Sequence, residues 1–304
     1  MLIDDLARYV ALHHALGFKF RIQQGLLRSY VAFARAAGDD VVRANRVVAW
    51  ASMAPSAPQR RNRLLTVRRF ALAMHAENAR HEVPAADAVG RSPAERRRPH
   101  IYSTEEITRL MRAAAGLQPA GTLRPTTYRT LFGLLAATGL RISEALALRL
   151  GDISDDGLVV QETKFRKSRL LPLHDTTRQA LNAYVRTRVS VAGADDRLFL
   201  SNAGTPPAYS TVVTVFLSLA RAIGLRGAPG VPGPCIHDLR HSFAVRSLET
   251  CGPDRHAAAR HVVGLSTYLG HAHVTDTYWY LHATPTLMAR IADAGEALYR
   301  RDAP

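Results

Sequence analysis

Five short stretches of the 304-residue chain combine residue types and spacings that could do chemistry. Thr138-Gly139-Leu140-Arg141-Ile142-Ser143-Glu144 sets an arginine just past a glycine, where a helix with Ile142, Leu146 and Leu148 on its apolar face begins. Lys164 ends the first strand of a candidate hairpin and is followed by Phe165-Arg166-Lys167-Ser168-Arg169. His237-Asp238-Leu239-Arg240-His241 places His237, Arg240 and His241 on one helical face. Leu269-Gly270-His271 precedes Tyr280 by nine residues, and Tyr280 closes the aromatic run Tyr278-Trp279-Tyr280. Each stretch also has a plain reading. An arginine at a helix start is usually a surface residue, a basic hairpin tip by default lies on a phosphate backbone, and clustered rings usually pack. Two histidines at i, i+4 could hold zinc, but the pattern His-Glu-x-x-His is absent, Asp238 standing where the glutamate would be. At about 100° per residue, Tyr278 and Tyr280 point roughly 200° apart, so both cannot serve one site.

The lysines narrow these options. Of 40 basic residues 37 are arginine, leaving Lys19, Lys164 and Lys167, so a lysine in this chain stands where arginine is unsuitable. Against 25 acidic residues the basic excess gives +15, which points to a polyanionic partner, nucleic acid first. No run of about 18 apolar residues and no basic leader occurs, so a cytoplasmic protein without membrane contact is expected. Cys235 and Cys251 are too few for a disulfide framework or a cysteine-based zinc site and are expected as buried thiols.

The elements that must position these residues fall into two domains. Residues 1–90 read as about four helices, with apolar positions at helical spacing in Leu2-Leu6-Val10, Leu26 to Ala34, Val41 to Trp50 and Leu64 to Met74. Residues 1–98 hold 17 basic and 8 acidic residues, and Arg60, Arg61, Arg63, Arg68 and Arg69 crowd on one helix as a candidate phosphate-docking face. Residues 91–100, with Pro and a run of charge and no apolar period, form a linker. The second domain, 101–304, opens with the capping signature Ser103-Thr104-Glu105-Glu106. Helices are expected near 126–138, 142–149, 175–190, 209–223, 237–250, 254–269 and 285–300. Leu158 to Thr163 and Arg169 to Leu173 form a hairpin.

Taken in order, Arg…Lys…His-x-x-Arg…Gly-His…Tyr resembles the tyrosine recombinase, or phage integrase, family. The likeness extends through Ala137 to Glu144, Thr163 to Leu173, His237 to Ala244 and Tyr268 to His271, spanning about 101–290. It implies a mainly α fold with a small antiparallel β-sheet: an N-terminal helical, SAM-like core-binding domain and a C-terminal α+β catalytic domain, clamped about duplex DNA. It also implies a site-specific recombinase that cuts and rejoins strands through a 3′-phosphotyrosine, without metal, ATP or any cofactor. Arg141 and Arg240 would neutralise the phosphate, and Tyr280 would attack it. His237 would be the base and His271 a hydrogen-bond donor to the phosphate. Lys164, with Lys167 as the less favoured substitute, would protonate the leaving 5′ oxygen, which arginine with a pKa above about 12 is unable to do. Glu144 and His241 would support the site, and Arg166 and Lys167 would touch DNA. The interval from Arg240 to His271 is longer than expected of this family because of Cys251 to Gly264. Tyr278 and Trp279 are expected to pack the segment.

Partners follow from the resemblance: double-stranded DNA, and a tetramer on paired sites built from protomers that are monomeric or weakly associated when free, acting at the nucleoid. The final helix, with Leu287, Ile291, Ala294 and Leu298 on one stripe, would pack onto a neighbouring protomer. A mobile-element recombinase is the expected role. A type IB topoisomerase and a catalytically silent DNA-binding regulator are the alternatives; pure binding needs neither Tyr280 nor Lys164.

Overall fold

In the computed structural model, residues 2–90, 97–161, 168–191, 195–251, 255–278, 280, 289 and 296 are described. Lys164, Arg166, Lys167, Trp279 and most of 285–300 lie outside them, as do the expectations that fall there. The chain divides into two compact units, Met1–Arg96 and Arg97–Pro304.

The first unit holds α1 (Leu2–Ala15), α2 (Arg21–Ala36), α3 (Ala44–Ser52) and α4 (Ala57–Glu77). Their sequence periods become a single core: Leu2, Leu6, Tyr9 and Val10 of α1 meet Leu27, Tyr30 and Val31 of α2 and Leu64, Val67, Phe70 and Met74 of α4. Ser56 caps α4 by accepting the Gln59 amide at 3.4 Å, and Pro58 sits in the first turn, where its missing N–H costs nothing.

The second unit is mainly helical around a three-stranded antiparallel sheet. α5 (Thr104–Ala115) starts with the expected capping box, Ser103 and Glu106 each accepting the other's amide. α6 (Leu123–Thr138) and α7 (Ile142–Ala147) follow. A 3₁₀ turn leads to β1 (Ile153–Ser154), β2 (Gly157–Val160) and β3 (Arg169–Leu171), in order β1-β2-β3 with Ile153 opposite Leu158 and Val160 opposite Arg169. β1, only two residues long, adds an edge to the hairpin expected from sequence; Pro172, with no amide to donate, ends β3. α8 (Asp175–Val191), α9 (Tyr209–Ala222), α10 (Asp238–Glu249), α11 (Arg255–Leu269) and the short α12 (Thr275–Tyr278) complete the unit. Among the described residues no helix is long and apolar enough to cross a membrane.

Two cores hold this unit. Leu131, Phe132, Leu135, Phe199, Phe216 and Leu239 belong to the larger one. A smaller one joins α10 to α11 through Ala244, Val245, Leu248, Leu265 and Leu269, and it includes Tyr280. The unit begins at Arg97, ahead of the position expected from sequence. Arg97 donates to Gly233 O at 2.5 Å, to Cys235 Sγ at 3.3 Å and to Asp238, which ties it to the start of α10. Cys235 and Cys251 are half-buried rather than buried thiols, Cys235 because it lies on the connection that Arg97 grips.

Candidate active site

The C-terminal end of α11 organises the site. A helix leaves its last four carbonyls without intrahelical donors, and its negative end favours cations. Here all four are answered. Gly270 N donates to Thr267 O and His271 N to Ser266 O, both at 3.0 Å, which is a Schellman cap with Gly270 in the left-handed region at φ +68. The outer two carbonyls receive arginines: Arg169 Nε donates to Tyr268 O and Arg240 Nη2 to Leu269 O, each at 2.8 Å. Arg141 reaches the same turn more loosely, 3.4 Å from Leu269 O and 3.5 Å from Gly270 O. One helix end thus gathers three guanidiniums carried by α10, β3 and the α6–α7 turn.

That turn needs its own glycine. Gly139 ends α6 at φ +62, and a Cβ there would meet the Phe243 ring at 2.6 Å. Its carbonyl accepts Arg240 Nη1 at 2.7 Å, so the Arg240 fork spans two helix ends and is 2% exposed. Burial, and then repulsion from Arg141, push the Arg240 guanidinium down to about 10, while the nearby Tyr280 and Glu144 favour its charge. It stays cationic at neutral pH. Arg141 is freer, with its side chain 32% exposed.

Among the described residues, Glu144 is the one carboxylate paired with these arginines. It accepts Arg141 N at 3.0 Å, Arg141 Nη1 at 2.8 Å and Arg169 Nη2 at 2.9 Å.

Tyr280 is 3% exposed and its ring lies between two histidines: centroid distances are 5.2 Å to His241, edge-on, and 5.9 Å to His271, nearly parallel. His237, at the N-terminus of α10, is edge-on to His241 at 5.0 Å. All three histidines are biased toward the neutral form. Burial leads in each case: Arg240 adds repulsion at His237, His237 at His241, and Arg240 and Arg141 at His271, bringing His241 and His271 to about 4. His271 Nδ1 lies 2.8 Å from the Thr277 hydroxyl, itself wholly buried, which fixes the ring's orientation. His241 Nδ1 is buried without a hydrogen-bond partner among the described residues.

Five of the six residues singled out as catalytic are therefore assembled in one place, together with Glu144 and His241; the sixth, Lys164, lies outside the described residues. Sequence reasoning missed Arg169 and Thr277. Tyr278, expected to pack, is instead 48% exposed, because the helical turn that buries Tyr280 points Tyr278 the other way. The first unit's arginines divide. Arg69 is exposed and Arg60 and Arg61 are half-buried, whereas Arg63 lies over Trp50 at 5.0 Å and Arg68 donates to Pro84 O at 3.0 Å. No group of three or more His, Cys, Asp or Glu among the described residues is placed to hold a metal ion. A cavity of about 550 Å³ between α5, α6 and α8, lined by Met111, Thr130, Gly133 and Tyr184, includes none of the site's residues.

Comparison with known proteins gives a consistent picture. The Phage integrase family matches residues 101–286. A putative integrase/recombinase of Sinorhizobium fredii (strain NBRC 101917 / NGR234), y4rB, is 38% identical over 291 residues, covering 92% of this chain and 92% of that protein. Tyrosine recombinase XerC of Xanthomonas axonopodis pv. citri (strain 306) is 32% identical over 219 residues, 72% of this chain and 65% of XerC. Among solved structures, the Tn1549 transposon integrase in complex with transposon right end DNA shares the fold, with a TM-score of 0.65 at 16% identity over 100% of this chain and 99% of that one.

Proposed function

Because the chain belongs to the phage integrase family and is a site-specific DNA recombinase, we propose that it breaks and rejoins strands through Tyr280, with Arg141 and Arg240 holding the scissile phosphate. The observation that carries this reading is the burial of Tyr280 between His241 and His271, against a helix end where Arg141 and Arg240 converge. A phosphodiester reacts when its non-bridging oxygens are neutralised by donors already in place, and two guanidiniums fixed by carbonyls and a carboxylate are such donors.

In this mechanism the Tyr280 oxygen bonds to phosphorus as its proton passes to His237, which burial keeps in the neutral form a base requires. The bond from phosphorus to the 5′ oxygen breaks, and Lys164 protonates that oxygen. The product is a 3′-phosphotyrosine and a free 5′-hydroxyl. His271 holds a non-bridging oxygen through Nε2–H, which requires the Thr277 hydroxyl to donate to Nδ1. A 5′-hydroxyl from a partner strand reverses the chemistry, so bond energy is conserved and no ATP is consumed. Every role is filled by a side chain, and cleavage is expected to survive chelators.

The first unit supplies DNA docking through Arg60, Arg61 and Arg69, joined by Arg166 and Lys167 of the connection before β3. Protomers that are monomeric or weakly associated when free assemble as a tetramer on two sites, in the cytoplasm and on behalf of a mobile element. The test is trapping on a nicked suicide duplex. Wild type accumulates a covalent protein–DNA adduct and Tyr280→Phe none; an adduct with Tyr280→Phe overturns the reading.

A further inference from the structure

Arg169 has no role in the mechanism above, yet it is among the most fully engaged side chains of the site. It opens β3, its side chain is 10% exposed, and each nitrogen of its guanidinium donates: Nε to Tyr268 O at 2.8 Å, Nη2 to Glu144 Oε2 at 2.9 Å and Nη1 to Glu144 Oε1 at 3.3 Å. Room for it is made at Gly270, where a Cβ would come within 2.7 Å of Arg169 Nη1. The glycine before His271 thus has a second duty besides its left-handed backbone: it lets Arg169 lie across the turn to reach Glu144.

Charge gives this arrangement its meaning. Glu144 with Arg141 alone is a neutral pair, and a neutral pair is a poor receptor for a phosphate. Glu144 shared by Arg141 and Arg169 leaves one net positive charge, and Arg169 is the stronger partner. Burial by itself would raise the Glu144 carboxyl; the hydrogen bond and the charge of Arg169, ahead of the hydrogen bonds from Arg141, hold it below its usual range.

We propose that Arg169 is a positioning residue that occupies Glu144 and so keeps the charge and the direction of Arg141 available to the scissile phosphate. This rests on Arg141 being a phosphate ligand, as in the function proposed above. Arg169 does not itself touch the reacting atoms. It acts through the carboxylate it shares, and through β3 it also links that carboxylate to the strand following Lys164.

The test compares Arg169→Gln with the double variant Arg169→Gln, Glu144→Gln in the full-length chain, by single-turnover cleavage of the nicked duplex. The single variant leaves Glu144 to neutralise Arg141, and cleavage falls about 10- to 100-fold, as expected when a catalytic group is misdirected. The double variant removes both partners of a buried pair together, frees Arg141 and recovers much of that loss. A residue that only braced the fold would give the opposite order, the double variant being equal to or worse than the single one. That order, or wild-type cleavage by Arg169→Gln, overturns the proposal. Should Arg169→Gln fail to fold, a second substrate decides: a neutral methylphosphonate at the scissile position needs less cationic help. Arg169→Lys, which keeps the charge but not the fork, should then lag wild type on the normal diester and approach it on the methylphosphonate. An equal lag on both overturns the proposal. Tyr280→Phe run alongside tests the underlying reading separately, since adduct formation without Tyr280 would sink that reading whatever Arg169 does.

Discussion

The two units use arginine in opposite ways. In the first, Arg8 pairs with Glu77, Arg43 with Glu82 and Arg80 with Asp40 at the surface, while Arg60, Arg61 and Arg69 lie along α4 without an ion pair to a described residue. Surface pairs of this kind add little stability, and their charge acts at a distance that salt shortens. In the second, Arg240 is buried and Arg169 half-buried, and their guanidiniums are held in place by carbonyls of Gly139, Leu269 and Tyr268 and, for Arg169, by Glu144. The difference teaches that composition alone mixes two functions. On the function proposed above, the first set would attract a polyanion in general, whereas the second would be fixed in advance about one scissile phosphate, Arg240 directly and Arg169 through Glu144, leaving little reorganisation for the transition state.

The sharpest way to break this comparison is Arg240→Lys. The charge survives, but an ammonium is unable to span Gly139 O and Leu269 O, so single-turnover cleavage should fall about 10²- to 10³-fold while DNA affinity holds. Near-wild-type cleavage would show that charge alone suffices in the second unit too. Next comes the triple variant Arg60→Gln, Arg61→Gln, Arg69→Gln. Binding should weaken and the slope of log affinity against log salt should shrink by about 0.9 for each phosphate no longer neutralised, with cleavage of saturated complex unchanged. An unaltered slope would remove this face from the DNA. Arg63→Gln should behave otherwise than its neighbours, leaving the slope intact and costing about 1 kcal/mol of stability because no cation then covers the Trp50 ring, read from urea denaturation. The remaining test concerns pH. Because His237, His241 and His271 have lowered pKa values in the folded state, the unfolded chain binds protons first as pH falls from about 6.5 toward about 4, and stability declines across that window. The urea midpoint should therefore be lower at pH 5 than at pH 7.5, and an unchanged midpoint would mean that these rings accept protons without unfolding.

Much of the molecule was legible in the sequence because helical spacing is a local property. The periods of Leu2-Leu6-Val10 and Leu64 to Met74 became buried faces, and Ser103 to Glu106 became a capping box. The site was legible as an ordered list of residues, without its joinery. Arg169 and Glu144 are 25 residues apart, and no period or cap connects them. Thr277 matters only because α12 folds it back on His271. The Gly270 cap, in contrast, could be read from a glycine placed directly after a helical pattern, and the two-residue β1 was too short to show an alternation.

One feature of the site governs time as well as geometry. Tyr280 belongs to the small core between α10 and α11, flanked by rings and almost closed to solvent. A phosphotyrosine formed there would be shielded from water on the protein's side, and hydrolysis, the reaction that would leave a chromosome broken, would be slow. The entrant able to align with such a buried ester would be a DNA end presented along the duplex. With Tyr280 as the proposed nucleophile, the packing of one side chain would thus set the lifetime of the break and favour its ending in a joined strand.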